Sequence, residues 1–330
     1  MHIKSELLGI LRDGNFHSGE DLGSALGVSR TAVWKQLQKL ESMGLQLQSI
    51  KGRGYRLPQG FELLDCERIN ANLEHSVSQY LKALHVHQSL ESTNKEAHQL
   101  IQRQVESTSG TVILSEYQTM GRGRRGKNWV SPFAANLYLS MIWDFDQGAS
   151  ALQGLSLAIG VAVSRALRQL NVEGVQLKWP NDIYINHKKL GGILLEMVGD
   201  PAGQCTVIIG IGINHCMPEQ SAEDIDQAWT DLNAVSKQAI SRNNLAALII
   251  SHCFDVLIDY QQTGFACYQQ EWQAIDAFKG TKAVVSTANQ STVGTPIGVD
   301  EVGALKMQLA NGEVKHFIGG ELSLRPLDKD

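Results

Sequence analysis

The spacing of hydrophobic residues changes character twice along the chain. From Ser18 to Met43 apolar positions recur at helical intervals in two short runs: Leu22, Ala25 and Leu26 in the first, Val33, Leu37 and Leu40 in the second. A tight Gly27-Val28 turn divides them, which is helix-turn-helix spacing. Ser18, with Asp21 three residues on, is placed to cap the first helix, and Ser29 the second. Capping at Ser29 turns Arg30, Thr31, Trp34 and Lys35 outward from the first turns of the second helix, where such a helix meets a major groove. After Gly44 the stretch LQLQSIKGRGYRL has the pattern of a short hairpin, a wing whose Lys51, Arg53 and Arg56 can lie on phosphates. Pro58 to Gly60 then mark a seam.

From Leu84 onward strand and helix signals alternate. LHVHQSL is extended, Asn94 to Arg103 is helical with Ala97, Leu100 and Ile101 on one side, and TVILSEY is a β-branched run. Gly154 to Leu170 forms an amphipathic helix. It leads into VQLKWPNDIYINHKKLGGILLEM, where QLKW, DIYI and LGGILLEM are strand-like around a turn at Asn186-His187. TVIIGIGIN is a buried strand ending at Asn214. Beyond a helix around Leu245 to Tyr260, the runs AVVST, PIGVD, ALKMQL, VKHFIG and ELSLR, with a hairpin turn at Asn311-Gly312, predict a small barrel. The layout is a multidomain α/β chain, with a winged helix-turn-helix at 1–60, an α+β domain at 61–275 and a β domain at 276–330.

Composition narrows the partners. At 330 residues and 43% hydrophobic the chain can bury more than one core. A net charge of −5 gives no global attraction to nucleic acid or an anionic membrane, so any polyanion site is local. Residues 29–56 hold six basic residues and one acid, leaving the remainder at −10. Small helical heads with solvated Lys and Arg also bind proteins, but caps, turn and basic wing here agree on DNA. The first residues, MHIKSELLGILRDGN, are neither a secretory signal nor a membrane span, which predicts a soluble cytoplasmic protein. Five cysteines without a CxxC are expected to be buried thiols.

GRGRRG, Gly121 to Gly126, has the form of a dinucleotide-binding fingerprint after a strand, with Asp144 and Asp146 near the ribose-binding offset. Context excludes that use. The segment KNWVSPF follows in place of an apolar helix, and Pro132 stops one from forming, so no helix dipole is available for a pyrophosphate. The loop instead suits closure over a carboxylate and a phosphate, its glycines flexible and Arg122, Arg124 and Arg125 between them. Composition alone also fits an exposed basic turn or a second nucleic-acid patch. Lys178, Asn181, Asp182, Lys188 and Lys189 fall at strand ends and turns. There Asp182 can hold Mg²⁺ and the lysines can neutralise phosphates or a carboxylate, with the Asn214 amide in reach; a solvated hairpin is the bland alternative. His85 and His87 alternate on one strand face, but no third metal ligand lies near in sequence.

ESTN (Glu91 to Asn94), YQTMGRGRRGKNW (Tyr117 to Trp129), LKWPNDIYI, KKLGGILLE and GIGIN resemble, in this order, the signature of biotin protein ligases. With the winged head, the whole chain resembles the bifunctional biotin ligase and biotin operon repressor of bacteria. The resemblance implies a class II synthetase-like centre with a mixed or antiparallel sheet, and an SH3-like barrel at the C-terminus. It implies that Ser92, Thr93, Asn94 and Gln118 bind biotin, with Arg122, Gly123 and Arg124 in the loop that orders over it. Lys189 would hold the biotin carboxylate or α-phosphate region, Lys178 the phosphates and Asp182 the metal. Arg124, Trp129, Asn181, Asn214 and Trp229 would border ATP, Trp229 covering the adenine, and Glu321 and Arg325 are weaker candidates from the C-terminal cap. Two departures are Glu91, where Asp is expected before STN, and His215-Cys216 after Asn214. Both are taken as tolerated.

The implied chemistry fits the residue types. Biotin would be activated by ATP and Mg²⁺ as biotinyl-adenylate and passed to a lysine of the biotin carboxyl carrier protein of acetyl-CoA carboxylase. Both steps build charge on phosphate oxygens, which calls for cationic groups with little acid–base machinery, and no Ser/His/Asp or Cys/His set is evident. The same resemblance implies operator DNA as a partner, and a homodimer when the intermediate binds. A sensor that binds biotin without transferring it would not need Lys178, Asp182 and Lys189 together. Lipoate ligation is disfavoured by GRGRRG paired with KWPND and by the winged head.

Overall fold

The computed structural model describes residues 5–57, 61–103, 106–148, 152–200, 203–223, 225–286, 290–319 and 322–327; the Pro58–Gly60 seam and Glu321 lie outside them. The head contains α1 (Ser5–Leu11), α2 (Gly19–Leu26), α3 (Arg30–Ser42) and a hairpin of β1 (Gln48–Ile50) and β2 (Gly54–Arg56). Both expected caps form. The Ser18 hydroxyl accepts from the Asp21 N–H at 3.0 Å and the Ser29 hydroxyl from the Ala32 N–H at 3.3 Å. Leu22, Leu26, Val33, Leu37 and Leu40 are buried. Ala25, expected inward, is exposed. Gly23 takes the inward place, where a Cβ would stand 2.8 Å from the Val28 carbonyl oxygen, so the tight turn between α2 and α3 leaves no room for a side chain.

The centre holds α4 (Cys66–Ala71), α5 (His75–Ser78), β3 (Ala83–His87), α6 (Thr93–Arg103), β4 (Thr111–Ser115), β5 (Leu137–Phe145) and α7 (Leu155–Gln169). It continues through β6 (Val175–Lys178), β7 (Asp182–Ile185), β8 (Lys188–Gly199), β9 (Cys205–Ile213), α8 (Leu232–Val235), α9 (Arg242–Thr263) and α10 (Gln269–Ala274). Its strands form one mixed sheet in the order β3-β4-β5-β9-β8-β7-β6, parallel between β3 and β4 and antiparallel elsewhere. Odd-numbered residues of β5 and β9, from Leu139 and Met141 to Ile209 and Ile211, pack in the core with α7 and α9. Even-numbered Ile142 and Ile208 meet Ala97 of α6 on the opposite face. With both faces covered, β5 is buried almost throughout, which hides the alternation by which a half-buried strand is recognised.

Five short strands follow: β10 (Ala283–Ser286), β11 (Ser291–Val299), β12 (Leu305–Gln308), β13 (Val314–Phe317) and β14 (Ser323–Pro326). They make an antiparallel sheet in the order β13-β12-β11-β10-β14. The expected barrel is not closed, because β13 and β14 do not pair among the described residues. The sheet is instead held by the centre: Trp179 Nε1 donates to Gly303 O at 3.1 Å, and Gln269 Nε2 to Val299 O at 2.8 Å.

One contact joins head and centre, and a buried network ties the entering chain to the centre. Phe133 and Ala134 lie in the head's own hydrophobic core with Leu7, Leu8, Leu37 and Leu40, and the Phe133 N–H donates to Met43 O at 2.8 Å. Below them the fully buried Arg242 pairs with the buried Glu116 at 2.7 Å and donates to the carbonyl oxygens of Glu62 and Asn136. Glu62 in turn accepts from Arg242 N, Ser241 Oγ and Asn243 Nδ2. Those donors hold the Glu62 carboxyl below its ordinary value against the opposing effect of burial, the largest single influence on it. The chain entering the centre is thereby fixed to the start of α9.

Phe133→Ala would open a cavity in the head's core. Loss of about 3–5 kcal/mol of unfolding free energy is expected. Urea unfolding followed by circular dichroism checks this, and an unshifted midpoint contradicts the shared core.

Candidate active site

Strand register lays out the floor of the main cleft. Lys178 pairs with Asp182, Asp182 with Gly192, Gly192 with Gly212 and Gly212 with Tyr138, so one row crosses five strands. The next row is Leu194, Gly210 and Ser140. Three glycines in these rows make the floor deep. A Cβ on Gly210 would stand 2.3 Å from Asn94 Oδ1, and one on Gly212 would lie 2.6 Å from the Trp129 indole. The Trp129 ring rests on that floor, with Lys189 Nζ 5.5 Å from its centroid.

At one end of the cleft the polar groups are uncharged and buried: Ser92, Thr93, Asn94 and Gln118 are 3–8% exposed. Gln118 Oε1 accepts from the Thr93 N–H at 2.8 Å, and its Nε2 donates to Ser131 Oγ at 3.0 Å. Ser140, which the sequence did not single out, lies 2.7 Å from Thr93 Oγ1 and 2.6 Å from Asn94 Oδ1. Its place in the middle of a buried strand concealed it.

At the other end charge dominates. Lys189 Nζ lies 2.7 Å from Asp182 Oδ1, and Lys178 Nζ 3.7 Å from Asp182 Oδ2, all three side chains 12–16% exposed. Lys178 also reaches Tyr184 Oη at 3.0 Å. Burial pulls the Lys178 ammonium below its ordinary pKa, Asp182 opposes this, and Arg325 and Lys127 add to the depression. Among the described residues seven basic side chains line the cleft, Arg122, Arg124, Arg125, Lys127, Lys178, Lys189 and Arg325, against the single acid Asp182. The field inside is therefore strongly positive although the chain is acidic.

GRGRRG folds into a tight hairpin in which Arg122 bridges Asn128 and the Gly123 N–H donates to Lys127 O at 2.7 Å. Arg125, at its tip, adopts φ 59°, a left-handed conformation unfavourable for arginine. Gly123 lines the cleft. Arg124 points into it and donates to Asn181 Oδ1 at 3.0 Å; burial lowers its affinity for a proton and Asp182 restores part of it. Arg122 lies 3.6 Å from Glu196, a second residue that the sequence did not single out.

Asn214 and Trp229 stand outside the residues that line the cleft. Asn214 is buried and donates to Thr230 O at 3.0 Å, holding the segment in which Trp229 bridges Lys189. Gln227 of that segment does reach the cleft, as does Arg325. His215 bonds Ile240 O at 2.7 Å, and the Cys216 N–H bonds Ala135 O at 2.8 Å, both behind the floor. On the head, Arg30, Thr31, Trp34, Lys35, Lys51 and Arg53 are exposed beside the capping Ser29. The guanidinium groups of Arg53 and Arg56 stack on Phe16 at 4.6 and 4.5 Å, fixing the wing's charge in place. His85 and His87 stand with ring centroids 6.3 Å apart, and no group of three metal-ligating side chains occurs among the described residues.

Residues 86–214 match the biotin/lipoate A/B protein ligase family and residues 4–56 a helix-turn-helix domain. The chain is 38% identical over 327 residues to the bifunctional ligase/repressor BirA of Escherichia coli (strain K12), spanning 99% of this chain and 98% of that protein. It is 32% identical over 311 residues to the protein of the same name from Bacillus subtilis (strain 168), spanning 94% of each. Its fold matches a biotin protein ligase from Aquifex aeolicus in complex with biotin and ATP, with TM-score 0.63 and 25% identity over 74% of this chain and 100% of that one.

Behind Lys178, strand β6 is braced by residues 275–277, where the Leu177 N–H donates to Ile275 O and the Ala277 N–H to Leu177 O. Asp276 accepts from the Phe278 N–H with one oxygen, while its other oxygen is buried without a partner among the described residues. Burial raises its carboxyl to about 6. A raised folded-state pKa contributes stability below the unfolded value near 4, and that contribution disappears as pH rises through 6. Asp276→Asn is therefore expected to stabilise the protein at pH 8, by up to about 3 kcal/mol, and to have little effect at pH 4. Thermal melts at the two pH values check the sign.

Proposed function

The chain belongs to the bifunctional ligase/repressor family of those relatives, and from that premise we propose that it activates biotin with ATP and joins it to a protein lysine. What carries this reading is the division of one cleft into a neutral, hydrogen-bonding end and a cationic end. Ser92, Thr93, Asn94 and Gln118 suit an uncharged urea ring. Lys178, Lys189 and Arg124 suit the carboxylate at the far end of such a ligand and the phosphates it must meet.

A carboxylate cannot acylate an amine directly, because oxide would have to leave. Its oxygen attacks the α-phosphorus of ATP, the bond to the bridging oxygen breaks, and pyrophosphate departs, leaving biotinyl-5′-adenylate. The acceptor lysine nitrogen then attacks the carbonyl carbon, AMP leaves, and the amine proton passes to solvent. Negative charge grows on phosphate oxygens in both steps, so a fixed cationic clamp does more than an acid–base pair would. Lys189 holds the carboxylate beside the α-phosphate, Lys178 the phosphates, and Arg124, braced by Asn181, closes over both. Trp129 walls the site. Trp229, beside Lys189, meets the adenine only after its segment shifts, and Asn214 supports that segment.

Asp182 is the one acid lining the cleft among the described residues, and its oxygens face two ammonium groups. Of the cleft residues Asp182 would be the one to hold a Mg²⁺ accompanying ATP. When bound, the ion would neutralise phosphate charge. The acceptor is the biotin carboxyl carrier protein of acetyl-CoA carboxylase. The head, with Phe16 fixing its wing, binds the operator of the biotin operon as a homodimer formed when the intermediate is present. We read residues 1–60, 61–275 and 276–330 as DNA-binding, class II synthetase-like and SH3-like parts. No helix of the described residues is long and apolar enough to cross a membrane, and we assign the chain to the cytoplasm.

Incubation with ATP, Mg²⁺ and biotin, with lipoate in parallel, tests the reading. Biotin-dependent pyrophosphate release and a mass gain on the carrier protein are expected; absence of both refutes it. Arg124→Ala should let biotinyl-adenylate escape at least about tenfold faster, the consequence of losing about 1.4 kcal/mol of charge-assisted binding. Rapid gel filtration of the loaded protein measures this. Sedimentation should find more dimer with the intermediate than without it.

A further inference from the structure

Glu196 belongs to the same strand as the cleft floor but has no part in the clamp described above. On β8 it stands two positions beyond Leu194, paired with Ile208, and so shares the face of Gly192 and Gly212. Its side chain is 25% exposed and meets three partners from two elements. Asn94 Nδ2 donates to Glu196 Oε2 at 2.6 Å. His98, one helical turn along α6, lies 3.6 Å away, and Arg122 of the loop hairpin 3.6 Å away on the other oxygen.

A chain of side chains connects this carboxylate to the loop's far end: Glu196, Asn94, Ser140, Thr93, Gln118, Ser131 and the carbonyl of Trp129. Its two ends only accept hydrogen bonds, since one is a carboxylate and the other a backbone carbonyl. The carboxylate fixes the direction at its own end. Asn94 must present its amide nitrogen to Glu196 and its oxygen to the Ser140 hydroxyl. With the Ser140 proton on Asn94 Oδ1, the Thr93 hydroxyl has one proton for two neighbours, Ser140 Oγ and Gln118 Oε1, so it donates to one of them at a time. Without an acceptor at position 196 the Asn94 amide could rotate by half a turn, and the pattern offered to a ligand would be lost.

Resting on the biotin reading above, we propose that Glu196 is a positioning residue with two separable actions. It sets the orientation of Asn94, and with it the acceptor that receives the Ser140 proton. It also holds Arg122, and with it the hairpin base, over the site. Arg122 is about half exposed, so this second contact is weak enough to exchange when the loop rearranges.

The test uses the full chain with Glu196→Gln and Glu196→Ala, titrated with biotin alone and then assayed for retention of the adenylate. Gln keeps an acceptor for Asn94 but loses the charge facing Arg122. E196Q should bind biotin within about threefold of the parent and release the adenylate at least about threefold faster, because only the weak charged contact is gone. E196A should weaken biotin binding about tenfold with kcat at saturating biotin little changed. Coupling to Asn94 gives a readout that general destabilisation would not move: adding Asn94→Ala to E196A should cause little further loss. Equal effects of E196Q and E196A on biotin affinity, or additive effects of E196A and Asn94→Ala, would overturn the proposal. If E196A does not fold, an E196Q that retains the adenylate as the parent does overturns it instead. A parent chain that binds no biotin would sink the ligase reading itself, a result distinguishable from any of these.

Discussion

The pairing register of β8 with β9 is the constraint on which the cleft depends. Side chains alternate with a period of two, so a slip of either strand by one residue would carry its glycine, Gly192 or Gly212, to the α7 and α9 face and bring its isoleucines to the floor. The register is held by the opposite face. Ile193, Ile209, Ile211 and Ile213 are all 3% exposed or less, and a slip would expose them together. Hydrophobic burial on one side of the sheet thus places polar chemistry on the other. Glycine is required at 210 and 212 because Asn94 and Trp129 occupy the volume a Cβ would take.

The cleft's electrostatics follow from that placement. Cross-strand pairing brings Lys178 and Lys189 to one carboxylate, and a buried lysine keeps its charge only with such a partner nearby. Asp182 therefore has a role whether or not a metal is present: it holds two ammonium groups close together where their mutual repulsion would otherwise part them. An anionic ligand entering between them meets charge already gathered, and no reorganisation of the lysines is needed as charge develops.

Much of this was legible in the sequence because local signals agreed. The caps at Ser18 and Ser29, the turn at Asn186-His187 and the helix from Leu155 rest on short-range chemistry and appear where spacing puts them. β5 was passed over because it is buried on both faces and shows no alternation, and it lacks the β-branched run that marked the equally buried β4 and β9. Ser140 and Glu196 escaped notice for a related reason: each is one polar residue in an apolar run, and its partners lie 46 and 102 positions away. Ala25 misled because helical spacing cannot register that the turn beside it is too tight for any side chain at Gly23. The resemblance supplied the positions of Asn214 and Trp229 along the chain but not their orientation, which depends on the Thr230 carbonyl and on the bridge to Lys189.

Head and centre are further from independent than their separate sequence signals suggest. The segment from Trp129 to Ala134 begins in the cleft, where Gln118 holds Ser131, and ends inside the head's core, where Phe133 is 1% exposed. Pro132 meets Gly44, at the end of the head's recognition helix, closely enough that a Cβ there would come within 2.7 Å. Three residues, Val130 to Pro132, therefore separate a wall of the ligand cleft from a buried contact of the DNA-binding unit. In a close-packed interior a shift of the wall cannot be absorbed over so short a span without moving one end or the other. The Arg242–Glu116 pair limits which end it is. Its carboxylate also accepts from the Leu64 N–H, so the centre's side of the join is tied by buried charge, whereas the head is held by apolar packing and by the Met43–Phe133 hydrogen bond. Breaking the ion pair would leave an uncompensated buried charge, a cost that sliding apolar surfaces does not carry.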